Sequence, residues 1–417
     1  MKKIAVLIVV LVLSLTTILV ACSSEETTPT TAPTTAPTNA PTAAPPQTLK
    51  MAALLPLSGP VAGWGVTLAE GCQWWADEIN EQGGFKVGND IYKIDLQTMD
   101  NEYSGSVSAT LGARIVDEGI HYIYGPQGYD GERACGPIFT PAKVFAWGMS
   151  SAEYLKTAVP AGYKYQLGGS YPNWAWFGAL IPMAIELTPG VKTVAMLNSD
   201  DDFGHLASEQ IHAVMDKYGI QVDEKFYAPG TQDFYPVLTP LLNKNPDVFY
   251  TGHSVAGDMA LQIKQARELG WTKTIWAGSS AWNQLVSIAG LDALEGIKFV
   301  YTDYKSDVWP QGVRDASASY LASHPDKTEL EFLVLLSYET MNIYKQAMQR
   351  AGSIDPDEVL KVFDDPNFTF MFFGDPNATL GGFETYGASR QTQSYIAYGE
   401  IIDGVPVQRA IRQVEIP

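Results

Sequence analysis

The chain has 417 residues, more than one hydrophobic core usually organises, so two domains are expected. A hydrophobic content of 46% places it among ordinary globular proteins,. With a formal charge of −19 it has no basic stripe to meet a phosphate backbone, which speaks against nucleic acid as a partner.

Lys2 and Lys3 precede a nearly unbroken apolar run, Ile4–Val20. Leu19-Val20-Ala21-Cys22 then matches the bacterial lipobox. Residues 1–21 thus resemble a lipoprotein signal peptide whose cleavage leaves Cys22 as a lipidated N-terminus. The alternative is a plain transmembrane anchor, since the run is nearly long enough to span. Two or more acyl chains hold a protein durably at a membrane surface, so a lipid-anchored protein outside the cytoplasm of a bacterium is expected. Residues 22–48 are rich in Thr, Pro and Ala without apolar periodicity, and read as an extended tether.

The body opens with an apolar strand, Met51–Leu55, and a loop punctuated by Pro56, Gly59, Pro60, Gly63 and Gly65. A helix follows, with Leu68, Cys72, Trp75 and Ile79 at three- and four-residue spacing, stopped by Gly83–Gly84. In open α/β sheets ligands sit outside the carboxyl ends of strands, which makes Ser58 and Trp64 a candidate ligand edge. Strand Tyr92–Met99, helix Ser106–Glu118, strand His121–Tyr124, helix Glu132–Pro141 and strand Val144–Trp147 continue an alternation typical of parallel sheets. Around Tyr163–Asn173 the chain leaves this body. Alternation restarts with helix Trp174–Leu187 and strands Thr193–Asn198, Val222–Tyr227, Val248–Thr251 and Thr274–Ala277, each strand followed by a helix. Strand Phe299–Tyr304 crosses back, and helices Trp309–Ser323, Glu331–Ala351 and Asp357–Phe363 follow. The tail reads as hairpin strands, Gln393–Ile401 and Val407–Ile411, added to a sheet edge.

The fold class is therefore α/β: two doubly wound parallel-sheet lobes joined by a multi-strand hinge. Lobe one takes residues 49–168 plus 303–365, and lobe two 169–302 plus 366–417. Cys72 and Cys135 fall on helices that lie on opposite faces of a sheet ordered second, first, third strand, which favours two separate thiols over a bridge.

Several short motifs recur in a fixed order: Leu57-Ser-Gly-Pro-Val-Ala-Gly-Trp-Gly65 with Asn80-Glu-Gln-Gly-Gly84, Tyr124-Gly-Pro126, Ser150-Ser-Ala-Glu153, Asp202-Phe-Gly204, Lys264-Gln-Ala-Arg267 with Gly270, and Ile288-Ala-Gly290 with Glu295-Gly296. Through them Leu49–Pro417 resembles the type I periplasmic solute-binding proteins of the branched-chain amino acid (leucine/isoleucine/valine) receptor group of ABC transporters. The resemblance implies capture of a small solute between closing lobes and its delivery to a membrane permease. It implies that Tyr129–Gly131, which includes Asp130, and Ser150–Ser151 hold a ligand carboxylate. Free N–H groups at a helix N-terminus suit an anion. Trp64 matches a wall of the family's pocket. On lobe two the matching positions are Phe203, His253 or Ser254, and Ser279, while Tyr304 lies near a family aromatic at a crossing.

Two departures bear on the ligand. The family's acidic residue, which pairs with a ligand ammonium, has no counterpart in the loop Gly278–Trp282, and the lobe-two tyrosine becomes Phe203. A buried ammonium without a counter-charge costs several kcal/mol. Trp64, Tyr129, Phe203 and Trp282, with the hydroxyls of Ser279 and Ser280, suit a hydrophobic or aromatic carboxylic acid instead. The alternative is a branched-chain or other amino acid whose ammonium meets Asp200–Asp202 or Asp130.

No cofactor, metal or catalytic residue is called for, and a monomer is expected. The five histidines show no H-x-x-x-H spacing, which disfavours zinc. An enzyme is disfavoured by the lack of G-x-S-x-G, G-x-x-x-x-G-K-[ST] and G-x-G-x-x-G motifs. A ligand-binding sensor that reports to a membrane receptor is the remaining rival class.

Overall fold

The computed structural model describes residues 45–148, 162–168, 173–278, 282–307, 309–380, 390–392 and 395–413. The signal-peptide segment, Cys22 and most of the tether lie outside them. Strand β1 (Gln47–Leu55) opens two residues inside the stretch assigned to the tether. Its alternate side chains enter two cores: Met51, Ala53 and Leu55 one, Ala52 and Leu54 the other. A strand buried on both faces calls for helices on both sides of the sheet.

Helix α1 (Ala62–Glu81) ends where the sequence predicts, because Gly83 and Gly84 take positive φ. A short edge strand, β2 (Phe85–Val87), then pairs antiparallel with β3 (Asp90–Asp100). This hairpin was not expected. After α2 (Gly105–Asp117), β4 (Tyr122–Tyr124), α3 (Tyr129–Ala142), β5 (Phe145–Gly148) and β6 (Gln166–Gly168), the first sheet has the order β2-β3-β1-β4-β5-β6. The expected second-first-third arrangement is its β3-β1-β4 core. Cys72 and Cys135 are free thiols in separate cores.

The second half runs α4 (Asn173–Glu186), β7 (Thr193–Ser199), α5 (Asp202–Lys217), β8 (Gln221–Tyr227), α6 (Tyr235–Leu242), β9 (Val248–Tyr250), α7 (Ala256–Glu268), β10 (Ile275–Trp276), α8 (Trp282–Ala289), α9 (Leu291–Leu294) and β11 (Lys298–Val300). The crossing strand is shorter than predicted, and Tyr304 lies in the turns beyond it. Helices α10 (Gln311–Ser323), α11 (Phe332–Ala351) and α12 (Pro356–Phe363) follow. α11 lies on the first sheet: the Tyr344 hydroxyl donates to the Ile123 carbonyl at 3.0 Å and the Phe145 carbonyl at 3.3 Å. Gly71 lets α1 approach α11 closely, since a Cβ there would lie 2.0 Å from the Val334 carbonyl oxygen.

A small hairpin, β12 (Phe370–Phe372) with β13 (Asp375–Ala378), stands apart from both sheets. The tail forms the predicted hairpin, β14 (Tyr395–Ile402) and β15 (Val405–Gln413), turning through Asp403-Gly404 with both φ positive,. β14 pairs antiparallel with β11, which completes the second sheet in the order β15-β14-β11-β10-β9-β7-β8. Gln408 of β15 accepts from the Asp303 N–H at 2.8 Å and from Trp309 Nε1 at 3.4 Å, pinning the return crossing to the tail.

Candidate functional site

The site is assembled from loops at the carboxyl ends of the strands. In the first lobe, Leu57 N–H donates to Asp100 Oδ1 at 2.8 Å, tying the loop after β1 to the end of β3. This sets Trp64, in the first turn of α1, half-buried and edge-on to Tyr103, with centroids 6.3 Å apart and planes at 69°.

Tyr103 was not singled out from sequence. Glu102 and Tyr103 both take left-handed backbone, with φ of 53° and 55°. Such a residue costs on the order of 1 kcal/mol when it is not glycine. The turn is held by side chains: Asp100 Oδ1 accepts from Glu102 N–H at 2.9 Å, and Asn101 Oδ1 from Tyr103 N–H at 3.1 Å. Asn101 is fully buried, and its Nδ2 donates to the Gln127 carbonyl at 2.7 Å. The Tyr103 ring lies against Gly128, where a Cβ would be 3.0 Å from Cε2. Crowding around the hydroxyl end of a residue whose surface as a whole stays exposed, then the carboxylates of Asp201, Glu132 and Asp130, push the Tyr103 hydroxyl pKa up, so it remains a protonated donor.

Tyr129 heads α3, with the Arg133 guanidinium 5.0 Å from its ring centroid. Exposed Asp130 is paired with Arg133 at 2.9 Å. Glu132, also in the first turn, is buried and packs on Gly148, where a Cβ would lie 2.3 Å from Oε1. These two acids already complement the positive end of the α3 dipole.

In the second lobe, sequence reading places a loop through Gly204 and starts the helix at Leu206. The helix begins earlier, at Asp202, because the Asp201 carboxylate caps it by accepting from Gly204 N–H at 2.7 Å,. Phe203 therefore sits in the first turn of α5; its side chain lies outside the described residues. Asp200 pairs with His205 at 2.8 Å. The His253 backbone is held from both sides: its N–H donates to Asn198 Oδ1 at 2.6 Å, and its carbonyl accepts from Ser199 N–H at 3.0 Å. Burial lowers the His253 pKa to about 4 against the opposing pull of Asp201, so the imidazole is neutral at pH 7. Asn198 in turn donates to Glu224, which also accepts from Ser208 Oγ at 2.8 Å and meets His212 Nε2 at 3.1 Å. Ser254 is buried and donates to the Thr251 carbonyl at 2.7 Å.

The two sets of loops approach each other. A Cβ on Gly63 would lie 2.5 Å from Gln284 Oε1 of α8, and one on Gly230 would lie 3.5 Å from Pro60 Cγ. The Asp201 charge is felt both by His253 beside it and by Tyr103 on the other lobe. Trp64, Tyr103, Tyr129, Asp130, Asp201 and His253 thus belong to one neighbourhood. Trp282 heads α8 and packs on Phe299, 5.8 Å away, at the edge of the second core. Tyr304 is buried, with Trp309 at 5.0 Å and Phe373 at 6.3 Å as ring neighbours. Ser150, Ser151, Ser279 and Ser280 lie outside the described residues. Among the described residues no group of three or more His, Cys, Asp or Glu is placed to hold a metal, and no helix is long and apolar enough to cross a membrane.

Two wound sheets whose loops approach each other, with polar and aromatic side chains among them, form an arrangement suited to holding a small solute. The profile of the periplasmic binding protein family matches residues 48–391. The chain belongs to that family. It is similar to the Leu/Ile/Val-binding protein BraC3 of Rhizobium johnstonii, at 24% identity over 367 residues, covering 84% of this chain and 91% of the relative. Two crystal structures share the fold. One is the branched-chain amino acid transporter substrate-binding protein LivJ of Streptococcus pneumoniae in complex with isoleucine: TM-score 0.71, 20% identity, covering 89% of this chain and all of the other. The second is an ABC transporter solute-binding protein of Rhodopseudomonas palustris in complex with 3,4-dihydroxybenzoic acid: TM-score 0.72, 19% identity, covering 88% and 98%.

Proposed function

We propose that this chain is the lipid-anchored, extracytoplasmic solute-binding component of an ABC importer, and that its lobes close on a small hydrophobic or aromatic carboxylic acid for delivery to a permease. Cys22 carries the lipid, residues after it form the tether, and the lobes divide at residues 168, 302 and 365. Ser150 and Ser151 with the Tyr129–Gly131 turn hold the carboxylate. Trp64, Phe203 and Trp282, with Ser279 and Ser280, enclose the rest.

One observation carries the ligand class. The described acids of this neighbourhood are already engaged: Asp130 pairs with Arg133, Asp200 with His205, Asp201 caps α5, and Glu132 is buried against Gly148. A cationic end would compete with these contacts, whereas an apolar or aromatic end would not. The aromatic acid named for the Rhodopseudomonas palustris protein supports the same reading. A second reading, a branched-chain amino acid, is favoured by Asp201, whose field reaches both sides of the cleft, and by the relative's Leu/Ile/Val-binding name.

Thermal shift of the full chain in mild detergent, with benzoate, 3,4-dihydroxybenzoate, leucine and isoleucine, separates the two. A ligand at a hundred times its Kd adds about 2.7 kcal/mol of stability. Shifts with the aromatic acids carry the first reading; shifts confined to leucine and isoleucine replace it with the second. Retention of a Cys22→Ala variant in the membrane fraction would overturn the anchor.

A further inference from the structure

We propose that Tyr103 is a specificity-determining residue of the cleft, whose ring, set edge-on to Trp64 and against Gly128, is the wall on which a ring-bearing ligand lies. The inference rests on the reading above for where the ligand sits, and adds a contact the family resemblance did not supply.

The backbone gives the first reason. Two consecutive non-glycine residues, Glu102 and Tyr103, are kept left-handed, where glycine would serve at lower cost. Backbone held in a costly region concentrates at ligand clamps and active sites. Here the turn is enforced by dedicated acceptors, Asp100 and buried Asn101.

The second reason is what the ring does with its surface. Its contacts with Trp64 and Gly128 leave 39% of the residue exposed. A tyrosine recruited for packing would be covered, as Tyr122, Tyr124 and Tyr344 are in the same lobe. Trp64 and Tyr103 together present an angled pair of ring surfaces at the carboxyl ends of β1 and β3. Such a corner favours a flat ring over an aliphatic chain of equal size, because ring–ring contact adds to area burial.

The third reason is the polar end. The Tyr103 hydroxyl lies in the field of Asp130 and Glu132 from its own lobe and of Asp201 from the other. Ring hydroxyl substituents, which both donate and accept, suit a protonated hydroxyl in such a field, so the ligand's ring lies at the Tyr103 end. The ligand class that follows is a planar aromatic acid, with ring hydroxyls recognised at the Tyr103 end.

Isothermal titration of the full chain in mild detergent with 3,4-dihydroxybenzoate, benzoate and isoleucine tests this in wild type, Tyr103→Gly and Tyr103→Phe. Tyr103→Gly is expected to weaken both aromatic probes about tenfold. Its unliganded melting midpoint should not fall, because glycine accepts the left-handed turn. Tyr103→Phe is expected to keep benzoate within about twofold and to weaken 3,4-dihydroxybenzoate more. Wild-type affinities in Tyr103→Gly, or a lowered midpoint with unchanged affinities, would overturn the proposal and make the ring a packing group. If wild type takes isoleucine and neither aromatic acid, the ligand class falls. The contact role of Tyr103 is then decided separately: a tenfold loss of isoleucine affinity in Tyr103→Gly upholds it, and no loss overturns it. Binding of none of the three probes overturns both readings.

Discussion

In the first lobe the cleft turn is held by Asn101; in the second, by Asn198. Both are fully buried, and each accepts a backbone N–H from a site residue, Tyr103 in one case and His253 in the other. They differ in what stands behind them. Asn101 donates to neutral groups, the Gln127 carbonyl and Ser108 Oγ. Asn198 donates to Glu224, which is also bound by Ser208 and by half-exposed His212. The first lobe thus fixes its cleft turn through neutral contacts, while the second couples its turn to titratable groups near the surface. The lobes also carry buried acid–base groups of opposite sign. Glu339 on α11, against the first sheet, has its pKa raised by burial to about 8, opposed by Lys345, and its Oε2 finds no hydrogen-bond partner among the described residues. His253 in the second lobe is lowered to about 4.

The largest effect expected is on the alkaline limb of stability. The folded state keeps Glu339 protonated to about pH 8, while the unfolded chain ionises near 4.5. The folded state therefore binds the extra proton, and its stability falls as pH rises from 4.5 through 8. Glu339→Gln removes that loss and should gain as much as about 4 kcal/mol over wild type at pH 9, with little difference at pH 4.5; urea unfolding at the two pH values measures it. Next is the asparagine pair. Asn198→Ala leaves Glu224 short of a donor and His253 N–H without an acceptor, and should cost about 3 kcal/mol. Asn101→Ala strands only neutral groups and should cost about 2 kcal/mol. Equal costs, measured by urea unfolding at pH 7, would erase the distinction between the lobes. The smallest effect concerns His253. Its folded pKa lies below its unfolded value near 6.5, so the unfolded chain takes up the proton first. Stability is intact above pH 6.5 and has fallen by about 2 kcal/mol at pH 5. His253→Gln should flatten that acid limb and leave the alkaline one unchanged.

The β/α alternation was legible because a parallel sheet buries both faces and so leaves long apolar runs, as in Met51–Leu55,. What escaped was local or required coordinates. Phe85–Val87 is three residues long and offers no period to detect. Asp375–Ala378 is nearly as short, yet it is the second strand of a hairpin. The α5 start was hidden because Asp200–Asp202 reads as a loop, whereas one of the three is a helix cap. Within the site, Trp64 and His253 could be found from their places after strands. Tyr103 could not, since its signal is a backbone angle and a lateral contact with Trp64, and neither has a period. Asn198 ends a strand that reads as apolar, and its role appears only when Gly252 and His253 are seen folded over it.

The order in which the chain visits its two sheets has a consequence for when it can fold. The first sheet is finished only when α11 covers it, and the second only when β14 reaches β11. A ribosome therefore delivers most of both lobes before either has its last structural member. Domain-by-domain folding during synthesis would leave each lobe short of that member until the last helices and strands of the chain have been made.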